Sequence, residues 1–384
     1  MGFLRLYLAL IVVHAHAGNL FAWPVQNGFQ AVQIFFMISG FYMAMVLSGK
    51  YDSVGEFYKS RWLRIAAPYY FHLVVIVVAS LLSGLLFSQW LSLSGYAGDP
   101  LSKNGLAGLV VVIISNFTIF GQDVVLFLSD QLGQGLHLTG DFAKDQWPLY
   151  RFLVIPQCWS VALEFTFYLI VPFINRLNNL GLVVFTLSFL SIRVLLERGL
   201  GLQGDPWNYR FFPAELGIFC LGMLAWRWYA TPQGQRLFSF RLPVVFYPTI
   251  VLGVLGLSYG GTFLHWELAQ HLGANLASLA IYCFVPILLI TLFHITKSFR
   301  ADRFIGELSY LVYLNHLFII EAVRSWSGNG WAQRHVGLIT AVLSVGFAVV
   351  CWIFIFRPFE RWRHRLLTAS GPASTDPAVV GRGK

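Results

Sequence analysis

Of 384 residues, 57% are hydrophobic and only 11% are charged, whereas a soluble domain carries about 25% charged residues. Too few charges remain to cover a water-facing surface, so the composition excludes a soluble enzyme and implies an all-α polytopic membrane protein. The formal net charge of +9 does not imply nucleic acid as a partner. The Lys and Arg side chains cluster in short segments beside apolar runs, as topology signals do.

Runs of roughly 20 apolar residues span the hydrocarbon core of a bilayer. They occur at 3–22, 29–48, 67–88, 158–175, 180–198, 211–229, 243–260, 272–294, 304–322 and 335–356, which predicts about ten transmembrane helices. A shorter stretch, 106–121, holds Asn116 and two glycines and reads as re-entrant or interfacial. Segment 49–66 carries Lys50, Lys59, Arg61 and Arg64, and segment 227–242 carries Arg227, Arg236 and Arg241. Segment 295–303 carries Lys297, Arg300 and Arg303, and the last apolar run is followed by Arg357, Arg361, Arg363 and Arg365. All four are expected on the cytoplasmic side. Segment 122–157 sets Asp123, Asp130, Asp141 and Asp145 against Lys144 and Arg151 and reads as external. A single crossing between 66 and 122 satisfies both expectations and places both termini in the cytoplasm. Residues 1–366 then form one transmembrane domain, and 367–384 a disordered cytoplasmic tail. Cys158, Cys220, Cys283 and Cys351 lie in or beside apolar runs without a CxxC pair, the pattern of core thiols.

Polar residues inside such runs are functional-site candidates. The first run holds Arg5, His14 and His16. Arg5 and His16 are eleven positions apart, so on a helix they fall within about 20° of one face and about 16 Å apart along it. His14 points about 200° away from His16. An arginine that snorkels and imidazoles bonded to neighbouring helices are the structural alternative. Arg61 and Arg64 share a face if their segment is helical, and two adjacent guanidinium groups clamp a phosphate well; the same charges also serve as a stop-transfer signal. Glu164, inside an apolar run, needs an imidazole or an arginine from another helix. His316 lies in the run 304–322 with Tyr313 and Asn315 beside it. His16, Glu164 and His316 fall near the middle of their runs, whereas Arg5, Arg61 and Arg64 fall at the cytoplasmic edge. A polar cavity is therefore expected, holding an anion at its cytoplasmic mouth and a reaction in its depth. No HxxE or HxxxH ligand spacing appears on one helix, so a metal centre is not implied.

Six motifs then combine. These are Arg5-x10-His16, Phe35-Phe36-x2-Ser39-Gly40-Phe41, Arg61-x2-Arg64 with Pro68, Asn116-Phe117-Thr118, Trp159-Ser160-x3-Glu164 with Phe167-Tyr168 and Pro172, and Ser309-x3-Tyr313-Leu314-x-His316. In this order and spacing they resemble the acyltransferase-3 family of membrane-bound bacterial carbohydrate O-acyltransferases. The resemblance implies a ten-helix core in the bacterial cytoplasmic (inner) membrane and no bound cofactor. It implies acyl-CoA, usually acetyl-CoA, as donor substrate, and a hydroxyl of a carbohydrate or glycolipid as acceptor. It further implies catalytic roles for His16 and Glu164, and donor binding by Arg5, Arg61 and Arg64. Ser39, Asn116, Trp159, Ser160, Tyr313 and His316 take substrate-binding or supporting places. Many members carry an extra hydrolase-like domain outside the membrane, and this chain resembles the stand-alone form. On this reading His16 is a general base, and Glu164 orients an imidazole as a triad carboxylate does. A transporter or flippase for a sugar-containing anion would use the same midspan groups without chemistry.

Overall fold

Within a bilayer the backbone must satisfy its own polar groups, and a helix does so within one segment. The structure, a computed structural model, describes residues 1–18, 20, 28–49, 53–97, 105–133, 135–202, 205–237, 276–326, 328 and 330–368. The principal helices among them are α1 (Gly2–Ala17), α2 (Gly28–Leu47), α3 (Val54–Phe87), α4 (Leu106–Thr118), α5 (Trp159–Ile174) and α6 (Asn179–Val194). They continue with α7 (Phe212–Tyr229), α8 (Leu276–Thr296), α9 (Arg300–Trp326), α10 (Val336–Cys351) and α11 (Arg357–Thr368). The all-α expectation needs one amendment. Segment 122–157 contains an antiparallel hairpin, β1 (Leu128–Gln131) on β2 (Gly135–Leu138), with Leu128 opposite Leu138.

Five helical stretches among the described residues are long and apolar enough to cross a bilayer: Gly28–Leu47, Val54–Phe87, Pro156–Ile174, Asn179–Gly199 and Val336–Arg363. Helix α3 turns Val74, Val78, Leu82 and Leu85 outward, and α6 does the same with Leu180, Val184 and Leu187. Such continuous apolar faces suit lipid and would be a liability in water. The expected run 243–260 and the tail beyond 368 lie outside the described residues. Helix α4 rises only about 20 Å, short of the roughly 30 Å core.

Two boundaries differ from the sequence expectation. The first apolar run is helical only to Ala17, where Gly18 takes a positive φ of 73°. The segment 49–66 is not a loop from Val54 onward, because α3 starts at the Ser53 cap, whose hydroxyl accepts from the Glu56 amide, and continues through Pro68. Arg61 and Arg64 therefore sit on the same rigid helix as the span that follows them.

Small residues set the closest crossings. A methyl on Gly40 of α2 would lie 1.8 Å from the Phe219 carbonyl oxygen of α7, and one on Gly222 of α7 would lie 1.9 Å from that of Met37. The backbones of α2 and α7 thus pack at a distance that only glycine permits. Helix α1 runs alongside α9, and the Asp302 carboxylate of α9 accepts from the amides of Gly2 at 2.7 Å and Phe3 at 2.9 Å. This satisfies otherwise orphaned donors of the first turn.

The basic segments gather at one end of the bundle. Arg64 pairs with Glu307, Arg363 of α11 donates to Ser60 of α3, and Arg227 donates to the carbonyls of Asn175 and Leu177. The acidic segment gathers at the other end, where Trp207 donates to Gly140.

Candidate functional site

Helices α1, α2, α3, α5 and α9 enclose a cavity of about 520 Å³. Arg5 of α1 and Arg61 and Arg64 of α3 line it at the basic end of the bundle. From α2 it takes Val32, Phe35, Ser39, Tyr42 and Val46, a stripe at spacings of three and four that forms one helix face. Ser160, Glu164 and Tyr168 line it from α5, and Glu307, Tyr310 and Tyr313 from α9.

Seven of the candidate site residues marked by sequence therefore line one cavity: Arg5, Ser39, Arg61, Arg64, Ser160, Glu164 and Tyr313. Arg61 is 8% exposed and lies 6.0 Å from the Phe57 ring centroid. Arg64 donates to Glu307 at 2.7 Å. Ser160 and Tyr313 share a hydroxyl–hydroxyl bond of 2.7 Å, and the Tyr313 hydroxyl also reaches the Gln157 carbonyl at 2.9 Å.

Glu164 departs from expectation. Its Oε1 accepts from Ser39 at 2.6 Å and from Tyr168 one turn along α5, not from an imidazole. It sits at the arginine end of the cavity, so a triad-like pairing with His16 is not formed. The reason is geometric: spacing along one helix does not say which neighbour its face meets, and this face of α5 meets Ser39 of α2 beside Arg61 and Arg64 of α3.

The histidines form a separate group. His16 and His316 pack with ring centroids 5.2 Å apart, and neither lines the cavity. His16 Nδ1 lies 2.9 Å from the Val12 carbonyl oxygen. A carbonyl only accepts, so Nδ1 carries the hydrogen and the neutral ring leaves its lone pair on Nε2. His316 is fully buried, with Nδ1 on the Tyr313 carbonyl at 2.8 Å, and its Nε2 has no partner among the described residues. The expectation that His16 lies in the middle of its span is corrected by the end of α1 at Ala17. His16 occupies the last turn, is exposed, and its carbonyl accepts from Arg324 at 3.1 Å. His14 instead accepts from the Leu20 amide at 3.3 Å, a role at the helix end.

Tyr313 stands between the two groups. Its ring centroid is 6.5 Å from that of Phe35 on the cavity side and 5.7 Å from that of His316. Trp159 faces away from the cavity, with the Arg210 guanidinium 4.4 Å over its ring and Tyr209 edge-on at 4.7 Å. Asn116 is a clamp between segments. Its side chain donates to the Phe152 carbonyl and accepts from the Val154 amide, at 3.1 and 3.0 Å. Sequence reasoning missed Glu307, Tyr310 and Arg303. Their spacing with Tyr313 (303, 307, 310, 313) was the available signal, a polar stripe at helical period leading into a known motif.

A family model described as an acyltransferase domain matches residues 1–357. A Staphylococcus aureus (strain COL) protein named "Putative O-acetyltransferase SACOL0978" is 23% identical over 379 residues, covering 92% of this chain and 55% of that protein. Its counterpart in strain MSSA476 aligns with the same figures. An uncharacterised protein of Aquifex aeolicus (strain VF5) is 24% identical over 193 residues, covering 50% of this chain and 78% of its own length. The chain thus spans about half the length of the staphylococcal relatives. No solved structure matches it.

Proposed function

This chain belongs to the acyltransferase-3 family, and from that premise we propose that it moves an acyl group, acetyl in the first instance, from acyl-CoA to a hydroxyl of a surface carbohydrate or glycolipid at the bacterial cytoplasmic membrane. The observation that carries this reading is the single cavity joining Arg5, Arg61 and Arg64 to Ser39, Ser160 and Tyr313. Guanidinium forks suit the donor's phosphates. The α2 face beside them, with Val32, Phe35 and Val46, suits the thin pantetheine arm. Glu164 holds Ser39 and Tyr168 in place against that arm and offsets part of the arginine charge.

The acceptor approaches His16 from the opposite end of the bundle, where this residue is exposed at the end of α1. His16 Nε2 takes the acceptor's hydroxyl proton as the oxygen attacks the thioester carbonyl. The carbon–sulfur bond then breaks, and the imidazolium returns the proton to the departing thiolate. Because Tyr313 separates the cavity from the imidazoles, transfer requires its ring to swing aside.

The test is the full chain in lipid nanodiscs with radiolabelled acetyl-CoA and a glycan acceptor. Label should appear on the glycan together with free CoA thiol, and His16→Ala should remove both. A protein that moves a sugar-containing anion across the bilayer while leaving acetyl-CoA intact would overturn the reading.

A further inference from the structure

At the basic end of the bundle a second cavity of about 500 Å³ opens beside the first, between α3, α9 and the junction of α10 with α11. The two share Arg64, Arg303 and Glu307, so they form an outer vestibule and an inner chamber with the Arg64–Glu307 pair between them. Apart from Arg64 at its inner edge, no residue of the vestibule has a part in the reading above.

Its charges do not cancel. Two carboxylates line it, Glu307 and Glu360. Glu307 is held by Arg64 and Glu360 by Arg363. Arg303 and Arg357 also line it, and neither has an ion pair among the described residues. Two exposed guanidinium groups on different helices thus face one opening whose carboxylates are paired with other arginines. A multiply charged anion entering the opening would meet both guanidinium forks at once. The wall between them carries aromatic surface: Phe304, 38% exposed, and the half-buried Trp352. A site with unpaired arginines and aromatic faces fits a ligand that is phosphorylated and carries a flat ring.

We propose that this vestibule receives the adenosine 3′-phosphate of the donor, with Arg303 and Arg357 binding that phosphate, Trp352 or Phe304 covering its base, and the pyrophosphate passing inward to Arg64, Arg61 and Arg5. The inference rests on the acyl-CoA reading and extends it outward. Arg303 and Tyr313 lie ten residues apart on α9, a rise of about 15 Å, a gap that an extended pantetheine arm bridges. The nucleotide end therefore stays in the vestibule while the thioester reaches the inner chamber. An anionic lipid headgroup offers phosphate to the same arginines but has no ring for the aromatic wall and no arm for the chamber.

Two measurements on the full chain test this, in nanodiscs of phosphatidylcholine and again with added phosphatidylglycerol. The first is the preference for acetyl-CoA over acetyl-pantetheine, as a ratio of kcat/KM values. The wild type should prefer acetyl-CoA, and the R303A/R357A double variant should lose roughly 10- to 100-fold of that preference in both lipids. Arg176→Ala, which removes an arginine outside the vestibule, should keep the wild-type ratio. The second is calorimetric binding of adenosine 3′,5′-bisphosphate, which needs no turnover and should weaken by a similar factor in the double variant. An unchanged ratio, unchanged bisphosphate binding, or an effect confined to discs containing phosphatidylglycerol would each overturn the assignment. If the wild type consumes no acetyl-CoA, the proposed reaction fails, and the bisphosphate measurement alone decides the vestibule.

Discussion

Two imidazoles, His16 and His316, lie with ring centroids 5.2 Å apart, yet each uses its Nδ1–H on a carbonyl of its own helix. The bond to Val12 fixes the His16 tautomer without any carboxylate, so a general base here needs no triad. His16→Ala should therefore lower turnover by about 10²- to 10⁴-fold. Loss of its bond to Val12 and its contact with His316 should cost only about 1 kcal/mol of stability, so circular dichroism melts and thiol-release rates should separate cleanly. Glu164 carries a different expectation. It accepts from both Ser39 and Tyr168, so Glu164→Ala takes the acceptor from Tyr168 and leaves Ser39 only its 3.3 Å bond to the Tyr168 hydroxyl, at a cost of about 1–3 kcal/mol. Ser39→Ala and Glu164→Ala should be non-additive, with a coupling of roughly 0.5–3 kcal/mol in a double-mutant cycle. Additive effects would show that the contact carries no energy.

Among the elements, the α2–α7 crossing fixes the back wall of the cavity. The Ser39-Gly40-Phe41 triplet divides its work by direction. Ser39 faces Glu164, Gly40 admits the Phe219 carbonyl, and Phe41 is fully buried. Gly40→Leu has no room, since the first added carbon already meets backbone at 1.8 Å. It should abolish the monodisperse peak in size-exclusion chromatography of detergent extracts. Gly346 of α10 is exposed and has nothing within 4 Å of its added carbon. Gly346→Ala should elute as wild type and gain up to about 1 kcal/mol from helix propensity. Equal behaviour of the two variants would refute the close-packed crossing. Helix α3 adds a second element-scale consequence. Its 34 residues run unbroken from the Ser53 cap, so Arg61 and Arg64 are held by a rigid rod and not by a loop.

Across the whole molecule, charge separates by end. Arg64, Arg227, Arg303 and Arg357 gather at one end, and the segment with Asp123, Asp141 and Asp145 meets the chain around Trp207 at the other. By the positive-inside rule the arginine end is expected in the cytoplasm. Lys144, with a side chain 86% exposed, and Gln235, exposed beside Arg236, are suitable reporters. Cys158, Cys220 and Cys351 are buried, and Cys283 is exposed, so a Cys283→Ala background suffices. In intact cells a membrane-impermeant maleimide should label Lys144→Cys, and Gln235→Cys only after permeabilisation. The reverse pattern would invert the proposed direction of donor entry.

The sequence by itself determined that this is a helical membrane protein, where its basic and acidic segments fall, and which polar positions stand out as candidates for a site. Apolar run length, charge placement and helical periodicity are local properties, and a bilayer leaves the backbone few alternatives to the helix. Asn116 and Trp159 were legible as marked positions, but their marks do not say what they touch, and the structure gives one to a loop clamp and the other to Arg210. Only the tertiary structure decided that Glu164 belongs with the arginines and not with an imidazole, because helix tilt and glycine-set crossings determine which faces meet. It alone also placed Tyr313 between the cavity and the histidines, and gathered Arg303 and Arg357, more than fifty positions apart, around one opening.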